Sequence, residues 1–240
     1  MNPPGGAPGD GAPLVERAAW VCDRIADAVR RSGRPAGSVK LVAVSKTQPL
    51  ARVLEAYSAG LSVFGENYVQ EAQEKIPALP GAEWHMIGRL QGNKVRRAVS
   101  LFSWIQTVDS VRRLREISRC AAESGKTIRL LIEVNLGGEG SKGGAAPGDL
   151  RAILDASAGL PGARVEGFMA IPPFSTDPEG SRPHFSRLRE LRDALARELP
   201  GAALGELSMG MSNDFEQAIG EGATMVRVGT AIFGSRQGRG

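Results

Sequence analysis

Lys46 closes the run Leu41-Val42-Ala43-Val44-Ser45, an apolar stretch that reads as a fully buried strand, so its ammonium group is expected at the rim of a core. Partial desolvation there disfavours the charged form and exposes a nucleophilic amine, the property needed to condense with an aldehyde into a Schiff base. The other five lysines have ordinary settings. Lys40 precedes a strand, Lys75 and Lys94 lie in polar helical stretches, Lys126 is in a turn and Lys142 is in a Gly-rich loop. The position of Lys46 also fits a side chain that merely snorkels from a strand end into solvent.

A second signal lies near the carboxyl end. Met225-Val226-Arg227-Val228-Gly229-Thr230 carries an arginine inside an apolar strand, then a glycine and a hydroxyl residue where a helix would begin. Glycine permits close backbone approach, and exposed amides beside a hydroxyl suit a phosphate. Just upstream, Ser208-Met209-Gly210-Met211-Ser212-Asn213-Asp214 adds another glycine and more hydroxyls. Helix N-capping explains Ser212 and Asn213 without any ligand, and the two roles can coexist. An interior ion pair with Glu133 or Glu166 is the competing explanation of Arg227. Other strand ends are polar too: Glu66 and Asn67, His85 within a strand, and Asn135. A histidine on an apolar strand equally fits a hydrogen-bonded core residue. Trp84, Phe64, Trp104 and Phe168 read most simply as core or pocket wall.

Several motifs fail on their context. Gly138-Glu139-Gly140-Ser141-Lys142-Gly143 matches a dinucleotide-binding glycine pattern, but no helix begins inside it and it is not in the first βα unit. Ser124-Gly125-Lys126-Thr127 ends like a P-loop, yet Cys120 stands where the first glycine is required, so it reads as a helix-to-strand turn. Residues 210–214 lack the second glycine of a nucleophile elbow, and His85 and His184 have no metal-ligand spacing. The basic clusters 94–97 and 112–115 lack interleaved aromatics and read as solvated helix faces.

The elements that must position these residues alternate along the chain. After an amphipathic helix over 14–31, strands are predicted at 41–45, 62–64, 83–87, 104–108, 128–135, 165–170, 203–208 and 225–228. Helical patterns follow at 50–59, 68–76, 93–99, 110–123, 149–158, 182–199 and 215–219. This βαβα rhythm predicts a parallel sheet; eight strands favour a closed barrel, with a doubly wound open sheet as the competing arrangement. In either, chemistry belongs at the carboxyl ends of the strands, and in barrels a phosphate belongs to the loops after strands seven and eight.

The length of 240 residues allows one large domain or two small ones. No composition shift divides the chain, so one domain is expected over 14–240, after a disordered Pro/Gly-rich tail over 1–13. Hydrophobic residues at 42% and charged residues at 23% exclude wholesale disorder. The net charge of +4 arises from 30 basic and 26 acidic residues spread along the whole chain, too mixed for a nucleic-acid footprint. Cys22 and Cys120 have no metal or redox spacing, no apolar run is long enough to span a membrane, and the amino terminus lacks signal-peptide regions. A cytoplasmic protein is expected.

The residues also resemble a known family. Val44-Ser45-Lys46-Thr47, Phe64-Gly65-Glu66-Asn67-Tyr68-Val69-Gln70-Glu71, Trp84-His85-Met86-Ile87-Gly88, Leu90-Gln91-Gly92-Asn93-Lys94, Gly167-Phe168-Met169-Ala170-Ile171, Leu207-Ser208-Met209-Gly210-Met211-Ser212 and the segment 225–234 closely resemble the pyridoxal phosphate homeostasis proteins, the YggS-like or proline synthetase co-transcribed family. The match is collinear over roughly 14–236. It implies a single (β/α)8 TIM barrel like the alanine racemase N-terminal domain. It implies pyridoxal 5′-phosphate as cofactor, with Lys46 forming the internal aldimine, Ser212, Gly229 and Thr230 holding the phosphate, and Arg227 facing the pyridine nitrogen. Asn67, His85, Met209 and Met211 would line the pocket. Arg89, where the family often has proline, and the Pro/Gly-rich tail depart from the pattern without touching these contacts.

An arginine at the pyridine nitrogen should leave it unprotonated and weaken carbanion stabilisation. A racemase would also need a second acid/base and a further β domain, for which the residues after the eighth strand are too few. The expectation is therefore a protein that stores or delivers the cofactor and limits free aldehyde, with no assigned catalytic residue and no metal. A weak pyridoxal-dependent racemase or lyase is the alternative. The expected partners are the cofactor and apo-enzymes that receive it, without nucleic acid or membrane, and the chain is expected to be a monomer.

Overall fold

The computed structural model describes residues 8–9, 11–137, 143–173 and 175–234. Most of the tail expected over 1–13 lies outside the described residues, as do 138–142 of the Gly-rich loop with Lys142. The elements run α1 (Leu14–Arg31), β1 (Lys40–Val44), α2 (Leu50–Ser58), β2 (Val63–Glu66), α3 (Val69–Lys75), β3 (Glu83–Met86), α4 (Val95–Leu101), β4 (Trp104–Val108) and α5 (Val111–Glu123). They continue as β5 (Ile128–Glu133), α6 (Leu150–Ser157), β6 (Ala163–Met169), α7 (Arg182–Glu198), β7 (Glu206–Ser208), α8 (Phe215–Gly220), β8 (Met225–Val228) and α9 (Thr230–Phe233). The strands are parallel and close into a barrel in sequence order, so the open-sheet alternative is excluded. Closure comes from β1 on β8, where Lys40 to Ala43 stand opposite Met225 to Val228.

Sequence patterning explains the layers. In α1, Leu14, Ala18, Val21, Ile25, Ala28 and Val29 recur at helical spacing and are buried, with Arg17 the one charged residue that turns inward with them. Most of the core lies between the strands and the helices, with Phe64 stacked on Trp84 at 5.1 Å between ring centroids. A smaller cluster of Val42, Trp104, Leu131, Met169 and Met225 fills the barrel interior. Residues 124–127 form the turn from α5 to β5, with Gly125 at φ 62°.

The strand ends differ from expectation where pairing partners decide them. β2 runs on to Glu66 because Gly65 and Glu66 pair with His85 and Met86. β7 is shorter than 203–208 because β6 offers partners only to Glu206 to Ser208. In that seam Gly167, at φ 153°, lies so close to β7 that an added Cβ would stand 1.9 Å from the Glu206 carbonyl oxygen. Gly167→Ala is therefore expected to cost about 1–3 kcal/mol through backbone displacement. Urea unfolding of the variant measures this, and an unchanged midpoint would show that the two strands can part there without loss.

Candidate functional site

β1 ends at Val44 and the chain turns at once. The Gln48 N–H donates to the Ser45 carbonyl at 3.1 Å, which places Lys46 and Thr47 at the centre of the turn. Thr47 has φ 63°, a conformation that β-branched residues rarely adopt and that costs about 1–3 kcal/mol. A polar clamp holds it. The Thr47 N–H donates to Glu71 Oε2 at 2.6 Å, and Lys75 Nζ donates to the same oxygen at 3.1 Å. Lys75 Nζ also donates to the Ser45 carbonyl at 2.8 Å and to Glu66 Oε1 at 2.7 Å. Glu66 Oε1 accepts in addition from the Ser45 hydroxyl at 2.7 Å.

Lys75 thus departs from the ordinary polar-face setting expected of it. It is buried, because Val69, Ala72 and Lys75 share the face of α3 that turns inward. Glu66, fully buried at the end of β2, is held above the ordinary carboxylate range by desolvation, against the opposing pull of its bonds to Lys75 and Ser45. Its second oxygen has no hydrogen-bond partner among the described residues.

Across the mouth, Arg227 is buried in β8. Its Nη1 donates to Ser208 Oγ at 2.7 Å and its Nη2 to the Ala170 carbonyl at 2.9 Å. The competing ion-pair explanation is corrected in part. Glu166 is engaged by Arg129 through two hydrogen bonds, and Glu133 acts on Arg227 only through its charge. Burial pushes the Arg227 guanidinium down to about 10, with Glu133 and Asp214 opposing, so it stays charged at neutral pH.

The phosphate-type segment is built around Ser212. Its hydroxyl oxygen accepts from the backbone N–H groups of Gly229 and Ala231, both at 3.3 Å, so two amides at the start of α9 converge on one oxygen. Arg17 of α1 donates to the Thr230 carbonyl at 2.9 Å and fixes this end from behind. Neither Ser212 nor Asn213 caps α8. Asp214 is the N-cap residue, while the Asn213 amide donates to the Ser175 carbonyl at 3.1 Å.

These parts meet in a cavity of about 280 Å³ at the carboxyl end of the barrel. Lys46, Asn67, Met211, Ser212, Arg227, Gly229 and Thr230 all line it. Val44, Ile87 and Ile171 supply apolar wall that was not anticipated, although Ile87 was recoverable as the residue two beyond His85 on the same strand face. Gly88 lets the segments after β2 and β3 touch beside the cavity that Asn67 lines: a Cβ there would stand 2.4 Å from the Asn67 carbonyl oxygen.

His85 and Met209, both expected in the lining, do not line this cavity. His85 is fully buried one step below the mouth, stacked on Trp104 at 5.3 Å between ring centroids and hydrogen bonded to Gln106 and Glu83. It is the hydrogen-bonded core histidine that the sequence also allowed. Met209 follows the inward-facing Ser208, so strand alternation turns it out into the core between barrel and helices. Among the described residues no group of side chains could hold a metal ion, and no helix is long and apolar enough to cross a membrane.

Comparison with known proteins agrees with this geometry. The model for the family "Alanine racemase, N-terminal domain" matches residues 22–237. The pyridoxal phosphate homeostasis protein of Aquifex aeolicus is 46% identical over 224 residues, covering 92% of this chain and 98% of that protein. Its counterpart in Pseudomonas aeruginosa is 44% identical, covering 93% and 96%. Among solved structures, PipY of Synechococcus elongatus PCC7942 with PLP bound is 40% identical, with a TM-score of 0.82, covering 92% of this chain and all of that one.

Proposed function

The chain belongs to the pyridoxal phosphate homeostasis protein family, and from that premise we propose that it holds pyridoxal 5′-phosphate at the barrel mouth, covalently on Lys46, for storage and delivery rather than turnover. The observation that carries this reading is the meeting of a lysine amine, a buried guanidinium and an amide-lined hydroxyl segment in one cavity. The residues fit the group. Pyridoxal 5′-phosphate supplies an aldehyde, which condenses with a lysine amine with loss of water. Ser212, Gly229 and Thr230 hold the phosphate, since Gly229 and Ala231 already aim two N–H groups at one oxygen. Val44, Ile87 and Met211 give the ring apolar faces, and Asn67 a polar edge.

Arg227 faces the pyridine nitrogen in this reading. A guanidinium has donors only and stays protonated even when its pKa is drawn down to about 10, so it donates to the nitrogen and keeps it unprotonated. Such a ring is a weak electron sink, which favours holding over carbanion chemistry. The reading includes a monomer in the cytoplasm whose partners are apo-enzymes, and it limits free aldehyde by mass action. Incubating the loaded protein with an apo-aminotransferase, alongside amino-acid racemase and lyase assays, tests it. Reactivation of the acceptor with negligible turnover is expected; rapid turnover with the cofactor retained would establish the enzyme alternative instead.

A further inference from the structure

The barrel interior contains a polar path that the site does not account for. It starts at the mouth, where Arg227 Nη1 donates to Ser208 Oγ at 2.7 Å. The Ser208 hydroxyl lies 2.6 Å from Gln106 Oε1, and Gln106 Nε2 lies 2.7 Å from His85 Nδ1. His85 Nε2 lies 2.7 Å from Glu83 Oε1, which also receives Lys40 Nζ at 2.7 Å. Glu83 and Lys40 are the first residues of β3 and β1, so the path runs from the carboxyl end of the barrel to its amino end. Ser208, Gln106 and His85 are fully buried, and the apolar cluster of Val42, Trp104, Leu131, Met169 and Met225 fills the same interior.

The ends of this path fix its direction. Arg227 has donors only, and ionised Glu83 has acceptors only; Ser208, Gln106 and His85 can each do both. Ser208 accepts from Arg227, so its proton must go to the Gln106 carbonyl oxygen. Gln106 then presents its NH2 to His85, which must accept at Nδ1 and carry its proton on Nε2, aimed at Glu83. The reverse order would leave the Ser208 proton facing a guanidinium and would demand an imidazolium in a fully buried site. Desolvation lowers the His85 pKa, and Lys40 and Arg129 nearby push the same way, against Glu83. The second amide proton of Gln106 goes to Met225 Sδ at 3.7 Å.

We propose that Ser208, Gln106, His85 and Glu83 are positioning residues for Arg227, a one-way hydrogen-bonded chain that holds the guanidinium in the mouth from the opposite end of the barrel. Among the described residues, only Ala170 offers the Arg227 guanidinium a second hydrogen-bond partner, through its carbonyl. Cutting the chain at Gln106 removes the acceptor for the Ser208 proton and frees Ser208 to turn away from Arg227. The effect on the cofactor rests on the proposed role of Arg227 at the pyridine nitrogen; the effect on Arg227 itself does not.

The test begins on the ligand-free chain in an H184N background, where His85 is the only histidine. Imidazole 15N spectra are expected to show the proton on Nε2, and Gln106→Glu, with acceptors only, should convert His85 to an imidazolium. Gln106→Leu and Ser208→Ala should speed exchange of the Arg227 guanidinium protons about tenfold or more, the value of a lost hydrogen bond to a charged group. Leu131→Ala, an interior change outside the chain, should lower stability without that effect. A proton on Nδ1, or equal acceleration in Leu131→Ala, would overturn the proposal. In protein loaded with pyridoxal 5′-phosphate, Gln106→Leu should shift the absorption band of the bound aldehyde. An unshifted band with faster Arg227 exchange would keep the chain and refute the placement of Arg227 at the ring nitrogen.

Discussion

Lys46→Ala is expected to abolish covalent retention of pyridoxal 5′-phosphate and to leave the barrel within about 1 kcal/mol of its original stability. The separation follows from where Lys46 sits. It lies beyond the last residue of β1, in a turn made by backbone groups of Ser45 and Gln48, and it is half-buried rather than part of either apolar cluster. The groups assigned to the phosphate, and all those assigned to the ring except Val44, lie on or after other strands, so weak non-covalent binding should survive. Borohydride reduction of the loaded protein, followed by peptide mapping, reads the result. The original chain should carry one reduced adduct on the peptide containing Lys46, and the variant none. An adduct on Lys75 or Lys94 would refute the assignment, and a variant that unfolds would show that the turn is structural.

The sequence revealed Lys46 and Arg227 for a simple reason. Each is a cation placed at or inside an apolar strand, and that placement is visible without knowing the neighbours. The same local logic led astray at Lys75. In sequence it ends a polar stretch, Gln70-Glu71-Ala72-Gln73-Glu74-Lys75, with little apolar periodicity. Its burial depends on Glu66, nine residues earlier on the preceding strand, so the burial is a tertiary fact. A signal was nevertheless present: an acid at the end of an apolar strand needs a cation, and Lys75 is four residues from Glu71.

His85 and Met209 show another limit. Polar or not, a residue of a barrel strand meets the cavity only if alternation turns it inward and its height reaches the mouth. Family resemblance placed them near the site; alternation and height put one below it and the other behind it. The barrel's closure was legible because eight apolar runs separated by helices leave few alternatives. Strand ends were not, since they depend on which neighbour still offers a partner.

The Glu66–Lys75 pair gives the largest expected effect on stability, and the sign of its pH dependence can be worked out. Lys75→Met should cost about 3–5 kcal/mol at neutral pH, because it leaves a carboxylate buried without its cation. Glu66 already has a pKa above the unfolded value of 4.5, through burial, and loss of Lys75 removes a bond and a charge that oppose this shift. A raised carboxyl pKa means that the folded state binds more protons than the unfolded one, so stability falls as pH rises through the window above 4.5. The deficit of the variant should therefore shrink towards acidic pH, where Glu66 is protonated in both states. A Lys75→Met/Glu66→Gln double variant should recover much of the loss at neutral pH, since no buried charge remains. Urea titrations at the two pH values measure both, and a pH-independent deficit without recovery would refute the buried-charge explanation. The consequence reaches the site through Thr47, whose left-handed backbone is held by Glu71 and, through Ser45, by Lys75. Relaxing that turn moves Lys46, so the variant should also retain less cofactor although no residue of the cavity has changed.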